Sequence, residues 1–112
     1  MTKLIGALLN SLRGLMVTWK NEWAFRVEVI ASVLIAPFVV FSQADKVSKL
    51  FVLFSFALVL MTELLNTAIE KANDVHQKNP DALIKFSKDA ASGAVFIALC
   101  LAGLSILNLF FL

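Results

Sequence analysis

The run Leu50-Phe51-Val52-Leu53-Phe54-Ser55-Phe56-Ala57-Leu58-Val59-Leu60-Met61-Thr62 leads without a break into Glu63-Leu64-Leu65-Asn66-Thr67-Ala68-Ile69-Glu70. The first part carries no charge and reads as a helix made for lipid. The second part sets carboxylates at the mouth of that helix. At about 100° per residue, Glu63, Asn66, Thr67, Glu70 and Asp74 fall in one stripe roughly 100° wide. Ionisable groups in such a place are expensive, so they mark a functional site by default. A stripe of carboxylates points to a cation. In a small membrane protein, a cation points to phosphoryl transfer or to transport.

The composition places that run in a membrane protein. Of 112 residues, 60% are hydrophobic and 16% charged, with a mean hydropathy of +0.86. Soluble domains carry about 25% charged residues. The chain forms one domain over 1–112, too small to enclose a substrate pocket with its own thin bundle, so self-association is expected. A formal charge of +2, with its basic residues dispersed, excludes a nucleic-acid partner. Cys100 stands alone in an apolar run and reads as a packing or lipid-facing residue.

Outward from the central run, residues 3–20 read as an amphipathic helix lying in the membrane interface. Leu4, Leu8, Leu12, Leu15 and Trp19 line one face; Lys3, Gly6, Asn10, Arg13 and Lys20 line the other. A signal peptide fits poorly, because Asn10 and Arg13 interrupt the apolar core and no small-residue cleavage site follows. The first span is expected at about 23–41, with Arg26 and Glu28 near one membrane face and Pro37 as a possible bend. The polar turn 42–46 reverses the chain, and the second span covers about 47–70. Asn79 and Pro80 read as the N-cap and first position of a further helix. The third span, about 90–112, has no charged residue. The expected fold is all-α.

Eight basic residues (Lys3, Arg13, Lys20, Arg26, Lys71, Lys78, Lys85, Lys88) lie at one membrane face, and only Lys46 and Lys49 flank the opposite loop. By the positive-inside rule the N-terminus and the 71–89 segment are cytoplasmic, and the C-terminus lies outside. Glu22, Arg26 and Glu28 then share one cytoplasmic rim with Glu63, Glu70, Asp74, Lys88 and Asp89.

Glu22 and Glu70, on different helices, suit a magnesium ion that keeps some waters and binds substrate phosphates. Glu63 lies two helical turns deeper, where a general base can meet a hydroxyl presented by a lipid. Lys88 can neutralise phosphate charge, and Asp89 can orient a hydroxyl or pair with Lys85 at i−4. The competing reading of each charge alone is an interfacial ion pair. His76 reads as interfacial, and no second His or Cys stands at metal spacing, which argues against zinc. There is neither a GxxxxGK[ST] loop nor a GxGxxG turn, so any ATP phosphates are held by other means.

Three motifs carry a resemblance: Asn21-Glu22-Trp23-Ala24-Phe25-Arg26-Val27-Glu28, then Glu63 to Glu70 with Asp74, then Lys88-Asp89-Ala90-Ala91-Ser92-Gly93-Ala94-Val95. Together with the leader helix and three spans, the chain resembles the small prokaryotic diacylglycerol kinases over nearly its whole length. The resemblance implies an integral membrane lipid kinase using Mg2+ and ATP. It would act as a homotrimer in the bacterial cytoplasmic membrane, with active sites shared between neighbouring protomers. It makes Glu63 the catalytic base and Glu22 and Glu70 the metal ligands. Asn66, Asp74, Lys88 and Asp89 match positions around ATP and the reacting hydroxyl. Ala24, Phe25, Arg26, Glu28 and Ser92 match lipid-proximal positions, and Lys3, Asn10, Asn79 and Asp81 match places of nucleotide contact.

Relatives of this kind phosphorylate either diacylglycerol or the polyprenol undecaprenol. Trp19, shortly before Asn21-Glu22, looks more like the diacylglycerol branch. The alternative outside the enzymes is a small multidrug-type transporter, which uses four spans and one mid-membrane glutamate. A membrane adaptor, the third reading, leaves the carboxylate clustering unexplained.

Overall fold

The computed structural model describes residues 2–75 and 82–112, which form four helices: α1 (Thr2–Asn21), α2 (Trp23–Val40), α3 (Lys46–Asp74) and α4 (Ala82–Phe111). The last three are each long and apolar enough to cross a membrane. Large apolar side chains such as Leu34, Phe38, Phe54 and Leu104 are more than 60% exposed on the single chain. Apolar surface on that scale is a surface for lipid or for other copies, not for water.

α3 is the spine. It packs mainly along α4 and less along α2, while α1 touches α2 and α3 only lightly. Its buried positions, Val52, Ser55, Val59, Glu63 and Thr67, recur at intervals of three and four and so trace one face. Opposite stand Ala91, Ala98 and Ala102 of α4, with Val59, Ala98 and Ala102 forming one cluster and Phe56 against it. Methyl-sized side chains let two helices approach closely where lipid offers no hydrophobic drive for association. Glu63 therefore belongs to the packing seam rather than to a lipid-facing surface.

The turn between α2 and α3 is closed by its own polar groups. Asp45 caps α3, accepting from the Ser48 backbone N–H at 3.2 Å and from the Ser48 hydroxyl at 2.7 Å. The Ser48 side-chain bond first, and its backbone bond second, hold the Asp45 carboxyl below the usual carboxylate range. Lys49 Nζ donates to the Val40 carbonyl at 2.8 Å, satisfying a C-terminal acceptor of α2. Pro37 sits in the last turn of α2, where its missing N–H removes only one ladder bond. Asn108 Nδ2, donating to Ser48 Oγ at 3.2 Å, ties the far end of α4 to the start of α3.

Lengths explain how the rim arises. At 1.5 Å per residue, the 29 residues of α3 and the 30 of α4 each run about 45 Å, against a hydrocarbon core of about 30 Å. Each helix thus has turns to spare beyond the apolar layer, and those turns carry the polar residues. α4 starts earlier than the charge-free stretch 90–112 suggests. No glycine or proline interrupts Ala82 to Ala90, and Lys85 pairs with Asp89 at 2.7 Å one turn on. Lys88 and Asp89 consequently sit inside a helix, not at its opening. The expected cap at Asn79 and Pro80, and the residues His76, Lys78 and Asp81, lie outside the described residues.

Candidate active site

The site is assembled where the ends of α1 and α3 meet the starts of α2 and α4. Glu22 is the hinge between α1 and α2. Its backbone is extended (φ −117°, ψ 109°), yet its N–H reaches the Thr18 carbonyl at 2.8 Å and its own carbonyl accepts from Arg26 N–H at 3.2 Å. The chain changes direction there without losing backbone bonds, which fixes where the Glu22 side chain points. Arg26 reinforces the corner: its Nη1 donates to the carbonyls of Trp19 (3.2 Å) and Lys20 (3.1 Å), the orphan acceptors at the end of α1.

Glu63 is 7% exposed and is the one buried charged residue among those described. It lies in the electrostatic field of Glu70 first and Glu22 second, and Glu28 lies in the field of Glu63. Four carboxylates, from α2, α3 and the junction of α1 with α2, thus converge. The nearest compensation is a loose pair, Lys71 Nζ to Glu22 Oε1 at 3.7 Å, with the lysine 64% exposed. An exposed pair of this geometry contributes little. Among the described residues no basic side chain pairs with Glu28, Glu63 or Glu70, and carboxylates left in that state suit a cation.

Two further atoms point the same way. Glu28 Oε2 and Asn66 Oδ1 are buried with no hydrogen-bond partner among the described residues. Leaving a buried acceptor unpaired costs about 1–3 kcal/mol, so each of these atoms is a position that a donor from outside would stabilise.

On either side of this stripe lies a recess. Between α1 and α3 is a cleft of about 550 Å3, lined mainly by apolar groups such as Leu15, Val17, Leu64 and Ala68, with Thr18, Thr67 and Lys71 beside them. Between α2, α3 and α4 is an apolar groove of about 200 Å3 that begins at Glu28 and Ser32 and runs past Phe56, Val59 and Ala102. Both recesses are mainly apolar: the groove meets the carboxylates at Glu28, and the cleft meets the stripe at Thr67, with Lys71 and Thr18 among its few polar groups.

The remaining sequence-selected residues fall as follows. Asp74 Oδ1 accepts from Lys88 Nζ at 3.2 Å, which brings the start of α4 onto the end of α3. Asp89 is paired with Lys85, the contact its i−4 spacing suggests. Phe25 is buried, Ala24 half-buried, and Ser92 exposed on α4. Asn10 accepts from Arg13 at 3.1 Å, and Lys3 is exposed near the start of α1. Asn79 and Asp81 lie outside the described residues. Sequence reading passed over Lys71, Asn73 and Ser87, although Asn73 and Ser87 each adjoin a selected charge.

The donor set suits magnesium. Glu22 and Glu70 offer hard oxygens from two elements, and both act on Glu63. No group of three His, Cys, Asp or Glu side chains is close enough for an all-protein metal cage among the described residues. Two carboxylates completed by waters and phosphate oxygens is the usual arrangement for this ion.

The family model described as prokaryotic diacylglycerol kinase matches residues 9–110. A diacylglycerol kinase of Haemophilus influenzae is 36% identical over 104 residues, covering 93% of this chain and 88% of the relative. One from Escherichia coli K12 is 35% identical over 101 residues, covering 90% of this chain and 83% of the relative. One from Pseudomonas aeruginosa is 31% identical over 97 residues, covering 87% and 79% respectively.

Proposed function

The chain belongs to the prokaryotic diacylglycerol kinase family, and on that premise we propose that it transfers the γ-phosphate of ATP directly to the hydroxyl of diacylglycerol, giving phosphatidic acid. The observation that carries this reading is the buried Glu63 set among Glu22, Glu70 and Glu28, with an apolar groove opening at Glu28. Relatives named diacylglycerol kinase support the choice of lipid.

Glu22 and Glu70 would hold Mg2+, which would supply neutralisation of phosphate charge. Glu63 lies seven residues below Glu70, about 10 Å deeper along the helix axis. At that depth it meets a lipid headgroup while ATP stays on the water side. Glu63 accepts the proton of the hydroxyl as that oxygen bonds to the γ-phosphorus, and the bond from phosphorus to the bridging oxygen of ADP breaks. Lys88 and Asp74 face the nucleotide, and Asn66 and Glu28 line the approach of the lipid headgroup to Glu63. The phosphoenzyme route is not needed, because the acceptor oxygen reaches the site itself.

α1 lies in the cytoplasmic interface of the bacterial inner membrane, its apolar face toward lipid, and the N-terminus is cytoplasmic. Three copies share their sites. The support is that α1 buries no residue of its own and that Ser92, Gly93 and Ala94 are exposed, with nothing within 4 Å of a Cβ added at Gly93. A small-residue face of this kind suits close approach of another helix.

Topology is checked by labelling. A cysteine introduced at position 79, in a Cys100→Ser background, should resist a membrane-impermeant thiol reagent in intact cells and react in inverted vesicles. Reaction in intact cells overturns the orientation. The substrate is tested by offering diacylglycerol and undecaprenol separately to purified protein in mixed micelles with Mg-ATP. Diacylglycerol should be the preferred acceptor. Preference for undecaprenol makes the chain a polyprenol kinase with the same core, and phosphorylation of neither overturns the lipid kinase reading.

A further inference from the structure

A hydrogen bond links α3 and α4 one residue before each member of the Asp74–Lys88 pair. Asn73 Nδ2 donates to Ser87 Oγ at 2.7 Å, and Ser87 Oγ in turn donates to the Ile84 carbonyl at 3.1 Å. Both side chains are half-buried. Because the Ser87 proton is committed to its own helix, a lone pair of the hydroxyl faces Asn73, and the direction of the contact is set.

The ion pair beside it cannot set this geometry unaided. Lys88 reaches Asp74 at 3.2 Å with side-chain exposures of 26% and 45%, and a partly exposed pair with a long flexible stem is weak and adaptable. Asparagine and serine have short side chains with few rotamers. Their bond therefore defines how far α4 is rotated and raised against α3 at this level. A residue one step along a helix is displaced by about 100° and 1.5 Å, so fixing Ser87 fixes the root of Lys88, and fixing Asn73 fixes the root of Asp74.

We infer that Asn73 and Ser87 are positioning residues that set the approach of Lys88 to the nucleotide phosphates. The inference rests on the reading of Lys88 given above. The ammonium stem swings, but its origin does not, so the phosphate-binding state is reached with less side-chain ordering.

The test is a kinetic cycle on the full-length protein in mixed micelles. Asn73→Leu removes the donor at nearly constant volume, and Ser87→Ala removes the acceptor. Each is expected to raise KM for Mg-ATP about fivefold or more, with kcat changed less than about twofold and KM for the lipid unchanged. Ser87→Thr keeps the hydroxyl and should restore the wild-type value. In a Lys88→Ala background, Asn73→Leu should add almost nothing, because its effect passes through Lys88. Wild-type kinetics for Asn73→Leu, or a full additional loss in the Lys88→Ala background, overturns the inference alone. Unchanged Mg-ATP kinetics for Lys88→Ala overturns the assignment of Lys88 and the inference with it.

Discussion

Glu63→Gln is expected to lower kcat by about 10² or more while Mg-ATP binding stays close to wild type. The substitution keeps size and removes the ability to take a proton. Glu63 is 7% exposed and sits on the stripe that packs toward α4, so an amide of the same shape preserves the seam. It also removes one negative charge from a cluster that includes Glu70, Glu22 and Glu28, and folding should not suffer. Phosphoryl transfer depends heavily on positioning and charge neutralisation, which explains why binding survives loss of the base. Titration of Mg-ATP by calorimetry, run beside single-turnover kinetics, separates the two quantities. A folded variant that phosphorylates lipid at the normal rate excludes Glu63 as the base and leaves the stripe a nucleotide-binding or structural feature.

The second large effect is expected at the metal. Glu22→Gln and Glu70→Gln should each raise the magnesium concentration for half-maximal activity at least about tenfold, equivalent to about 1.4 kcal/mol. The double variant should lose little more than the worse single, since both carboxylates serve one ion and the first loss already disables the site. Lys71 offers a control, because its 3.7 Å pairing with Glu22 is exposed and loose. Lys71→Ala should move the magnesium requirement far less than either glutamine variant. Strictly additive losses in the double variant, or full turnover without a divalent metal, contradict a shared site.

What could be read from the chain alone follows from how local each signal is. The apolar run ending at Glu63 and the charge-free stretch of α4 announce helices, because hydropathy and period are properties of consecutive residues. The convergence at one rim was legible too, since the distribution of Lys and Arg sets the membrane face of every polar cluster at once. The seam was not. Which of Ala91, Ala98 and Ala102 would meet α3 depends on helix rotation, and alanines carry no signal of partner. The contacts of Lys71 with Glu22 and of Asn73 with Ser87 join residues on different helices, so spacing says nothing of them. Arg26 is instructive in another way. The resemblance sets it near lipid, and the structure gives its guanidinium to the last carbonyls of α1. Orphan acceptors at a helix end beside an arginine were a signal available in the sequence.

The claim at the centre of this account is that the lipid hydroxyl attacks the γ-phosphate itself, with Glu63 taking its proton at the rim. The stereochemical course at phosphorus tests it most directly. ATP made chiral at the γ-phosphate by oxygen isotopes and sulfur is turned over with diacylglycerol, and the configuration of the thiophosphoryl lipid is determined. One in-line displacement inverts the centre, so the account predicts inversion. Retention demands two displacements through a phosphorylated side chain, and that result would contradict it.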